Sequence, residues 1–136
     1  MVKQSLRGFR ARLASGGFTL IELMVVLAVV ALLLSVAVPR YFHSVNRSKE
    51  SVLRANLAVT RDALDKFYGD KGRYPDSLDQ LVQSQYMRAL PMDPITESNA
   101  TWILVAPSQT ERAGAVFDVH SGATGKSIDG SNYSDW

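Results

Sequence analysis

The fold of this chain is decided by residues 17–39, which read GFTLIELMVVLAVVALLLSVAVP. From Phe18 to Val38 this stretch holds 18 apolar residues in 21 positions. As an α-helix, such a segment is about 31 Å long, which is enough to cross a hydrocarbon core of roughly 30 Å. The sequence therefore predicts one membrane-spanning helix close to the amino terminus.

The charge of the chain is distributed unevenly around this helix. Of the 15 Lys and Arg residues, four lie in the first 17 positions, where no acidic residue occurs: Lys3, Arg7, Arg10 and Arg12. Such a cluster favours the cytoplasmic side of a membrane, so the chain from residue 39 onward is expected on the other side. From residue 18 onward, 11 basic residues stand against 13 acidic ones, which argues against a nucleic-acid-binding protein. The chain has no cysteine, which excludes disulfides and thiolate metal sites.

Glu22 is a feature of the apolar run that an ordinary membrane anchor does not need. A carboxylate within hydrocarbon costs about 3 kcal/mol on insertion scales. Two alternatives leave it unexplained, namely a secretory signal peptide cut after Ala37 and a plain uncleaved signal anchor. A third alternative explains it. If the chain is cut between Gly17 and Phe18, Glu22 can pair with the new amine of a neighbouring subunit and fix the register between packed helices.

The segment Gly17-Phe18-Thr19-Leu20-Ile21-Glu22 resembles the processing site of type IV prepilins and type II secretion pseudopilins. The resemblance implies that a prepilin peptidase cuts after Gly17 and N-methylates Phe18. It also implies that Glu22 directs assembly of a homo-oligomeric filament. Pro39 stands where the family often has a helix-loosening proline, so we count it with Glu22 among the assembly residues.

After Pro39 the apolar residues keep a helical spacing as far as Tyr68. They are Val45, Val52, Leu53, Leu57, Leu64, Phe67 and Tyr68. Their spacing gathers them on one face of a helix, which we expect to bury itself against the C-terminal region. Pro39 is expected to bend this helix or melt a short stretch, and Gly69 and Gly72 are expected to end it. Three i,i+4 charge pairs are expected to add a little stability: Glu50–Arg54, Arg61–Asp65 and Asp62–Lys66.

Shorter elements are predicted beyond residue 72. Asp76 is a candidate N-cap for a short helix over residues 77–83, with Asp79 in its first turn. Residues 102–106 and 115–120 have the composition of two short strands, which predicts an antiparallel hairpin.

The last residues of the chain are rich in Gly, Ser and Asp. The segment 122–135 is therefore predicted to be a loop. Within it, Tyr133 and the following Trp136 either fold back to cover one end of the sheet or form an exposed tail.

This order of elements resembles the major, G-type pseudopilin of type II secretion. The segments 74–78 and 90–94 look like that subfamily's linking region, whereas residues 95–98 replace its usual aromatic-glycine step. The fold implied is α+β and type IV pilin-like, with a long N-terminal helix packed on a small antiparallel sheet and a C-terminal loop. Four parts are expected: a basic leader (1–17), a transmembrane and filament-core helix (18–38), its amphipathic second half (39–72) and a small periplasmic α/β head (73–136).

The same resemblance implies a calcium site in the C-terminal loop. Calcium takes six to eight oxygen ligands from carboxylates, hydroxyls and carbonyls. Asp118 and Asp129 would supply carboxylates and Ser127 a hydroxyl, although Lys126 within the loop is unfavourable. The alternative is an ordinary turn in which the aspartates accept hydrogen bonds from the backbone.

No motif in the sequence predicts an enzyme. His43 and His120 are the only histidines and are far apart in sequence, and there is no nucleophile elbow or Gly-rich phosphate loop. The resemblance instead implies a structural subunit, the major pseudopilin of a type II secretion pseudopilus that drives folded proteins across the outer membrane. It would sit in the bacterial inner membrane by a single span with its head in the periplasm.

The partners implied by the resemblance are other copies of the chain, prepilin peptidase, minor pseudopilins and an inner-membrane assembly platform. Three other functions remain open at this stage. They are a type IV pilin of a surface pilus, a minor pseudopilin, and a membrane-anchored module that does not assemble.

Overall fold

The structure is a computed structural model that describes residues 16–108 and 113–136. Residues 1–15 of the predicted basic leader (1–17) lie outside these ranges. Residues 109–112, in the connection between the two strands, lie outside them as well. The chain divides into two compact units, one ending at Pro39 and the other comprising Arg40–Trp136. Its elements are α1 (Leu20–Lys71), α2 (Leu78–Gln83), β1 (Ile103–Val105), β2 (Asp118–His120) and a 3-10 helix (Tyr133–Asp135).

Helix α1 is continuous over its whole length, including Pro39. The expectation of a short melted stretch there is wrong, because the loss of one backbone donor leaves the hydrogen bonds of the neighbouring turns in place. The helix ends at Lys71, where Gly72 adopts φ +68° and donates its N–H to the Tyr68 carbonyl at 2.8 Å. This left-handed residue is a common helix terminator. Gly69, the other predicted terminator, lies inside the helix.

In the second unit α1 buries one face, as its apolar spacing predicts. The buried apolar residues of this face are Leu53, Leu57, Ala63, Leu64 and Phe67. Val52, also predicted on this face, is 48% exposed. Successive residues on an α-helix point about 100° apart, so Val52, next to the fully buried Leu53, lies at the edge of this face.

The predicted charge pairs along α1 are only partly present. Lys66 donates to Asp62 at 2.6 Å. The other two pairs do not occur among the described ion pairs, because Glu50, Arg54 and Arg61 turn their side chains to the head instead. Tertiary partners thus outcompete local pairs, each of which is worth only a few tenths of a kcal/mol.

Helix α2 is capped by Ser77, so the prediction of Asp76 as its N-cap was wrong by one residue. The Ser77 hydroxyl accepts the N–H of Gln80 at 3.3 Å, and the Gln80 side chain accepts the N–H of Asp76 at 2.8 Å. This is the reciprocal pattern of a capping box, displaced by one residue. The Asp76 carboxylate instead pairs with Arg73 at 3.3 Å.

The two strands form the predicted antiparallel sheet, with Leu104 opposite Val119. Both strands are shorter than predicted. At the start of the second predicted strand, the N–H groups of Ala115 and Val116 donate to the Pro75 carbonyl at 3.0 Å each, so they do not join the ladder with β1. The side chains of Val116 and Val119 are fully buried against the core face of α1.

Candidate functional site

The first unit presents an apolar surface along its entire helix. Every large hydrophobic side chain from Leu20 to Val38 is at least 44% exposed. By length and composition this part of α1 can cross a membrane. An apolar surface of this length must be covered either by lipid or by other protein chains.

The predicted processing site lies in irregular chain directly before α1. Residues 16–19 are outside the helix, Phe18 is 82% exposed, and no heavy atom lies within 4 Å of a Cβ built at Gly17. Helix α1 starts at the next residue, Leu20, and the Thr19 hydroxyl accepts the N–H of Glu22 at 3.2 Å, as an N-cap does. The Gly17–Phe18 peptide bond is thus open to an enzyme that cuts exposed, non-helical chain.

The Glu22 side chain has no hydrogen bond or ion pair with any other residue in the described ranges. It is exposed on the first turn of α1, one turn after Phe18. In water such a carboxylate is solvated, whereas in hydrocarbon it is costly without a partner. Any partner for it within the membrane must therefore come from outside the described part of this chain.

The two aspartates predicted to bind calcium are held by arginines of α1. Asp118 Oδ1 accepts hydrogen bonds from the Arg61 side chain at 2.7 Å and from the Val119 N–H at 2.7 Å. Its other oxygen lies 3.7 Å from His120 Nε2. Arg61 also donates to the Val119 carbonyl at 2.9 Å. The guanidinium therefore fixes both the side chain and the backbone of β2.

Asp129 is held in the same way by Arg54, at 2.9 Å. Its other oxygen accepts hydrogen bonds from the Ser127 hydroxyl and from the hydroxyl and N–H of Ser131. These bonds, that of Ser127 above all, hold the pKa of the Asp129 carboxyl well below its ordinary value. The Arg54 guanidinium also lies 4.0 Å from the centre of the Trp136 ring, which is cation–π geometry.

This arrangement does not fit a calcium ion shared by Asp118, Ser127 and Asp129. Ser127 and Asp129 are in contact, but each aspartate has its own arginine, and these arginines are seven residues, about 10.5 Å, apart on α1. No group of three or more His, Cys, Asp or Glu side chains that could hold a metal occurs in residues 16–108 or 113–136. The hydrogen bonds to Asp129 are those of the alternative, an ordinary polar turn.

Glu50 is a buried carboxylate whose contacts with the C-terminal loop the sequence reasoning missed. It is 9% exposed and accepts hydrogen bonds from the Ile128 N–H at 2.8 Å and from the Tyr133 hydroxyl at 2.9 Å. Burial, together with the hydrogen bond to Glu50, raises the pKa of Tyr133 to about 12. A signal was available, because Glu50 precedes Leu53 by three residues and Leu57 by seven, which places it on the buried face of α1.

Asp93 is a second buried carboxylate that sequence reasoning missed. It is fully buried and accepts the N–H groups of Ile95 at 2.8 Å and Thr96 at 3.3 Å and the hydroxyl of Ser121 at 2.5 Å. It therefore ties the segment before β1 to the residue after β2. Asp93 lies in the segment 90–94, which resembles the linking region of the G-type subfamily, and the local sequence does not reveal the distant serine.

Tyr133 and Trp136 fold back, which decides between the two alternatives for the end of the chain. Tyr133 is 8% exposed, and its ring lies 5.3 Å from that of Trp136. Trp136 in turn donates to the Ser131 hydroxyl at 2.8 Å and contacts Arg54. The C-terminal loop is thus attached to α1 by Glu50 and Arg54, and Arg61, on the same side of the helix, holds β2.

Comparisons with known proteins agree with the N-terminal motif. Residues 12–38 match the family model described as the prokaryotic N-terminal methylation motif. The chain is 31% identical over 94 residues to type II secretion system core protein G of Klebsiella pneumoniae, covering 57% of this chain and 67% of that protein. It is 29% identical over 114 residues to the core protein G of Klebsiella michiganensis, covering 72% and 78%.

The chain is also similar to a pilin, over a shorter region. It is 38% identical over 65 residues to the type IV major pilin protein PilA of Myxococcus xanthus, covering 48% of this chain and 30% of that protein. The matched region thus spans less than a third of the length of this pilin. No solved structure is a significant match to the chain.

Proposed function

Because the chain belongs to the family of type IV pilins and type II secretion pseudopilins, we propose that it is a major pseudopilin, the repeating subunit of a type II secretion pseudopilus. The extent of the matched regions favours a pseudopilin over a pilin. The match to a core protein G covers 72% of this chain and 78% of that protein, whereas the match to a pilin covers 48% and 30%. Similarity to core protein G therefore extends into the head.

The observations that carry the filament proposal are the uncovered apolar helix and the Glu22 carboxylate, which has no partner among residues 16–108 and 113–136. While the subunit is in the membrane, lipid covers the apolar side chains, and so packing against other helices gains little from hydrophobic burial. The Glu22 carboxylate remains unfavourable there, by up to about 3 kcal/mol, the cost of a charge at the centre of a membrane helix. An amine on Phe18 of an adjacent copy, created by cleavage after Gly17, removes this penalty and selects one stagger between neighbouring helices.

The location and partners follow from this function. The chain would span the bacterial inner membrane once, with the basic leader in the cytoplasm and the head in the periplasm. Prepilin peptidase would process it, and minor pseudopilins and an inner-membrane platform would direct its assembly. The growing filament would push folded proteins through an outer-membrane channel, driven by an ATPase that is a separate protein.

Replacing Glu22 tests this proposal. We expect Glu22→Ala to be processed and to remain in the membrane, but to form no filaments. Intact mass should show a terminus at Phe18 carrying one methyl group in both wild type and variant, and cross-linking with filament isolation should show assembly only in the wild type. Glu22→Asp keeps the charge on a shorter side chain and should retain part of the assembly.

Either of two results would contradict the proposal. Normal filaments from Glu22→Ala would remove the register role. A terminus other than Phe18 would instead indicate a secreted or merely anchored protein.

The second candidate function, a type IV pilin, is favoured by the 38% identity to PilA over 65 residues. The two candidate functions differ in whether the filament extends outside the cell. At native expression, a pilin forms fibres outside the cell, whereas a pseudopilin supports protein secretion without visible fibres. Electron microscopy of cells carrying the native gene, together with a secretion assay on the deletion strain, distinguishes them.

A further inference from the structure

Four arginines recur every seven residues along α1: Arg40, Arg47, Arg54 and Arg61. Seven residues are close to two helical turns, so the four lie along one side of the helix. The second pair is used by the head, since Arg54 binds Asp129 and Arg61 binds Asp118. In the described part of the chain, the first pair, Arg40 and Arg47, forms no ion pair and no side-chain hydrogen bond, and both are exposed.

Two aromatic side chains stand next to the unpaired arginines. Tyr41 is 66% exposed and Phe42 is 59% exposed, and their rings are in edge-to-face contact at 5.7 Å. Neither ring belongs to the core of the head. We call Arg40, Tyr41, Phe42 and Arg47 the juxtamembrane band.

The position of the band matches the polar layer of a membrane. Arg40 follows Val38, the last residue of the apolar run, by two residues. A bilayer has a head-group layer of roughly 5–8 Å on each side of its hydrocarbon core, and a residue two positions beyond the run lies within it. Arg47 is about 10.5 Å further along α1, from where a long side chain can reach back to the phosphates. Aromatic residues are enriched at this same depth.

We propose that the juxtamembrane band binds the phosphate of an anionic phospholipid in the leaflet on the side of the head. The guanidinium groups of Arg40 and Arg47 match the oxygens of one phosphate, and the rings of Tyr41 and Phe42 contact the glycerol and upper acyl chain. A lipid supplies both an anion and an adjoining apolar surface, whereas an acidic patch on a protein supplies only the anion. The bound lipid fixes the depth of the subunit before assembly. The proposal rests on the membrane anchoring of the proposed function, but not on filament formation.

The test measures lipid binding to the full chain. Native mass spectrometry of the protein in neutral detergent gives its affinity for phosphatidylglycerol, and phosphatidylcholine with the same acyl chains serves as the uncharged comparison. Each basic residue close to an anionic lipid surface contributes about fivefold in binding. The double variant Arg40→Gln/Arg47→Gln should therefore bind phosphatidylglycerol about 30-fold more weakly at its tightest site.

A matched control removes the same charge elsewhere. Arg88 and Lys126 are exposed head residues without an ion pair among the described residues, so Arg88→Gln/Lys126→Gln should leave lipid binding unchanged. The basic leader is identical in all three proteins and cancels in the comparison. Raising the ionic strength from about 0.1 M to about 1 M should weaken phosphatidylglycerol binding in the wild type far more than in the Arg40/Arg47 variant.

Three results would overturn the proposal. The first is a wild type that does not prefer phosphatidylglycerol, and the second is an Arg40/Arg47 variant that keeps the preference. The third is a variant that loses cross-linking between copies while lipid binding is unchanged, which would assign the arginines to a second copy of the chain. Failure of the proposed function is distinguishable, because missing filaments or an unprocessed Phe18 do not alter the lipid measurement.

Discussion

The substitution Glu50→Ala tests whether a buried carboxylate holds the C-terminal loop on α1. Glu50 accepts two hydrogen bonds, from the Ile128 N–H at 2.8 Å and from the Tyr133 hydroxyl at 2.9 Å. Alanine removes the acceptor and leaves both donors without their partner. The Tyr133 side chain is only 8% exposed, so water does not readily replace the lost bond to its hydroxyl.

The expected loss follows from these two bonds. A hydrogen bond to a charged group contributes about 1.5–3 kcal/mol net, so the pair is worth about 3–6 kcal/mol. Two effects place the loss at the lower end. The variant no longer desolvates a carboxylate, and the N–H of Ile128, whose side chain is 45% exposed, can bind water. We therefore expect Glu50→Ala to lower the free energy of unfolding by about 3 kcal/mol, a large share of the stability of a small domain.

Urea unfolding of the full chain in neutral detergent measures this loss. Trp136 is a suitable fluorescent reporter because its ring lies 5.3 Å from that of Tyr133. Glu97→Ala is the matched control, since Glu97 is a glutamate whose side chain is 74% exposed and pairs with Lys49 at 3.2 Å. An exposed pair of this kind contributes less than about 1 kcal/mol.

A double-mutant cycle identifies the bond itself. The cycle of Glu50→Ala with Tyr133→Phe should give a coupling energy of about 1–3 kcal/mol, because the two residues share one hydrogen bond. Equal losses for Glu50→Ala and Glu97→Ala would refute the reasoning. Additive effects of Glu50→Ala and Tyr133→Phe would refute it as well, because the carboxylate would then not hold the loop through Tyr133.

Two further predictions concern the same loop. The pKa of Tyr133 is raised from 10.0 to about 12, so the folded state holds the proton more tightly than the unfolded state. The stabilisation from this bound proton is complete below about pH 10 and is lost as the pH rises to about 12. The urea midpoint of the wild type should therefore fall across this range, and that of Tyr133→Phe should fall less. Because Arg54 and Arg61 hold the aspartates, a chelator should leave the melting temperature unchanged, whereas Arg54→Gln should lower stability by about 1 kcal/mol. A melting temperature that falls on chelation would instead establish an ion that this arrangement of side chains does not explain.

The parts of the fold that the sequence predicts are those determined by periodicity. Helix α1 is long and repeats its apolar residues over many turns, so its existence and its buried face were predictable. Its ends and the short elements were less so, because neighbouring residues compete for the same role. Either Asp76 or Ser77 can cap α2; in the structure Ser77 is the cap, and Asp76 pairs with Arg73. The start of β2 similarly depends on the Pro75 carbonyl, which no local pattern reveals.

The candidate sites also differ in whether local sequence or distant residues define them. Gly17, Phe18 and Glu22 form a contiguous motif, which sequence reasoning can identify, and their roles stay predictions. The predicted calcium ligands depend instead on what the rest of the chain brings to them. Arg61 is 57 residues from Asp118 and Arg54 is 75 residues from Asp129. An aspartate within a glycine-rich loop has the same local sequence whether an ion or a distant guanidinium neutralises it.

The arginines of α1 show why the same residue type serves two purposes on one helix. Arg54 and Arg61 lie where the head covers the helix, so carboxylates of the same chain neutralise them. Arg40 and Arg47 continue the same side of the helix beyond the head, where the described residues offer them no carboxylate. An unpaired charge on a water-facing surface needs no partner, but a charge next to an apolar span lies where lipid phosphates are the nearest anions. The seven-residue spacing therefore places the four arginines on one side of α1. Those that the head covers pair with carboxylates of the same chain, and those beyond the head are left for a lipid phosphate.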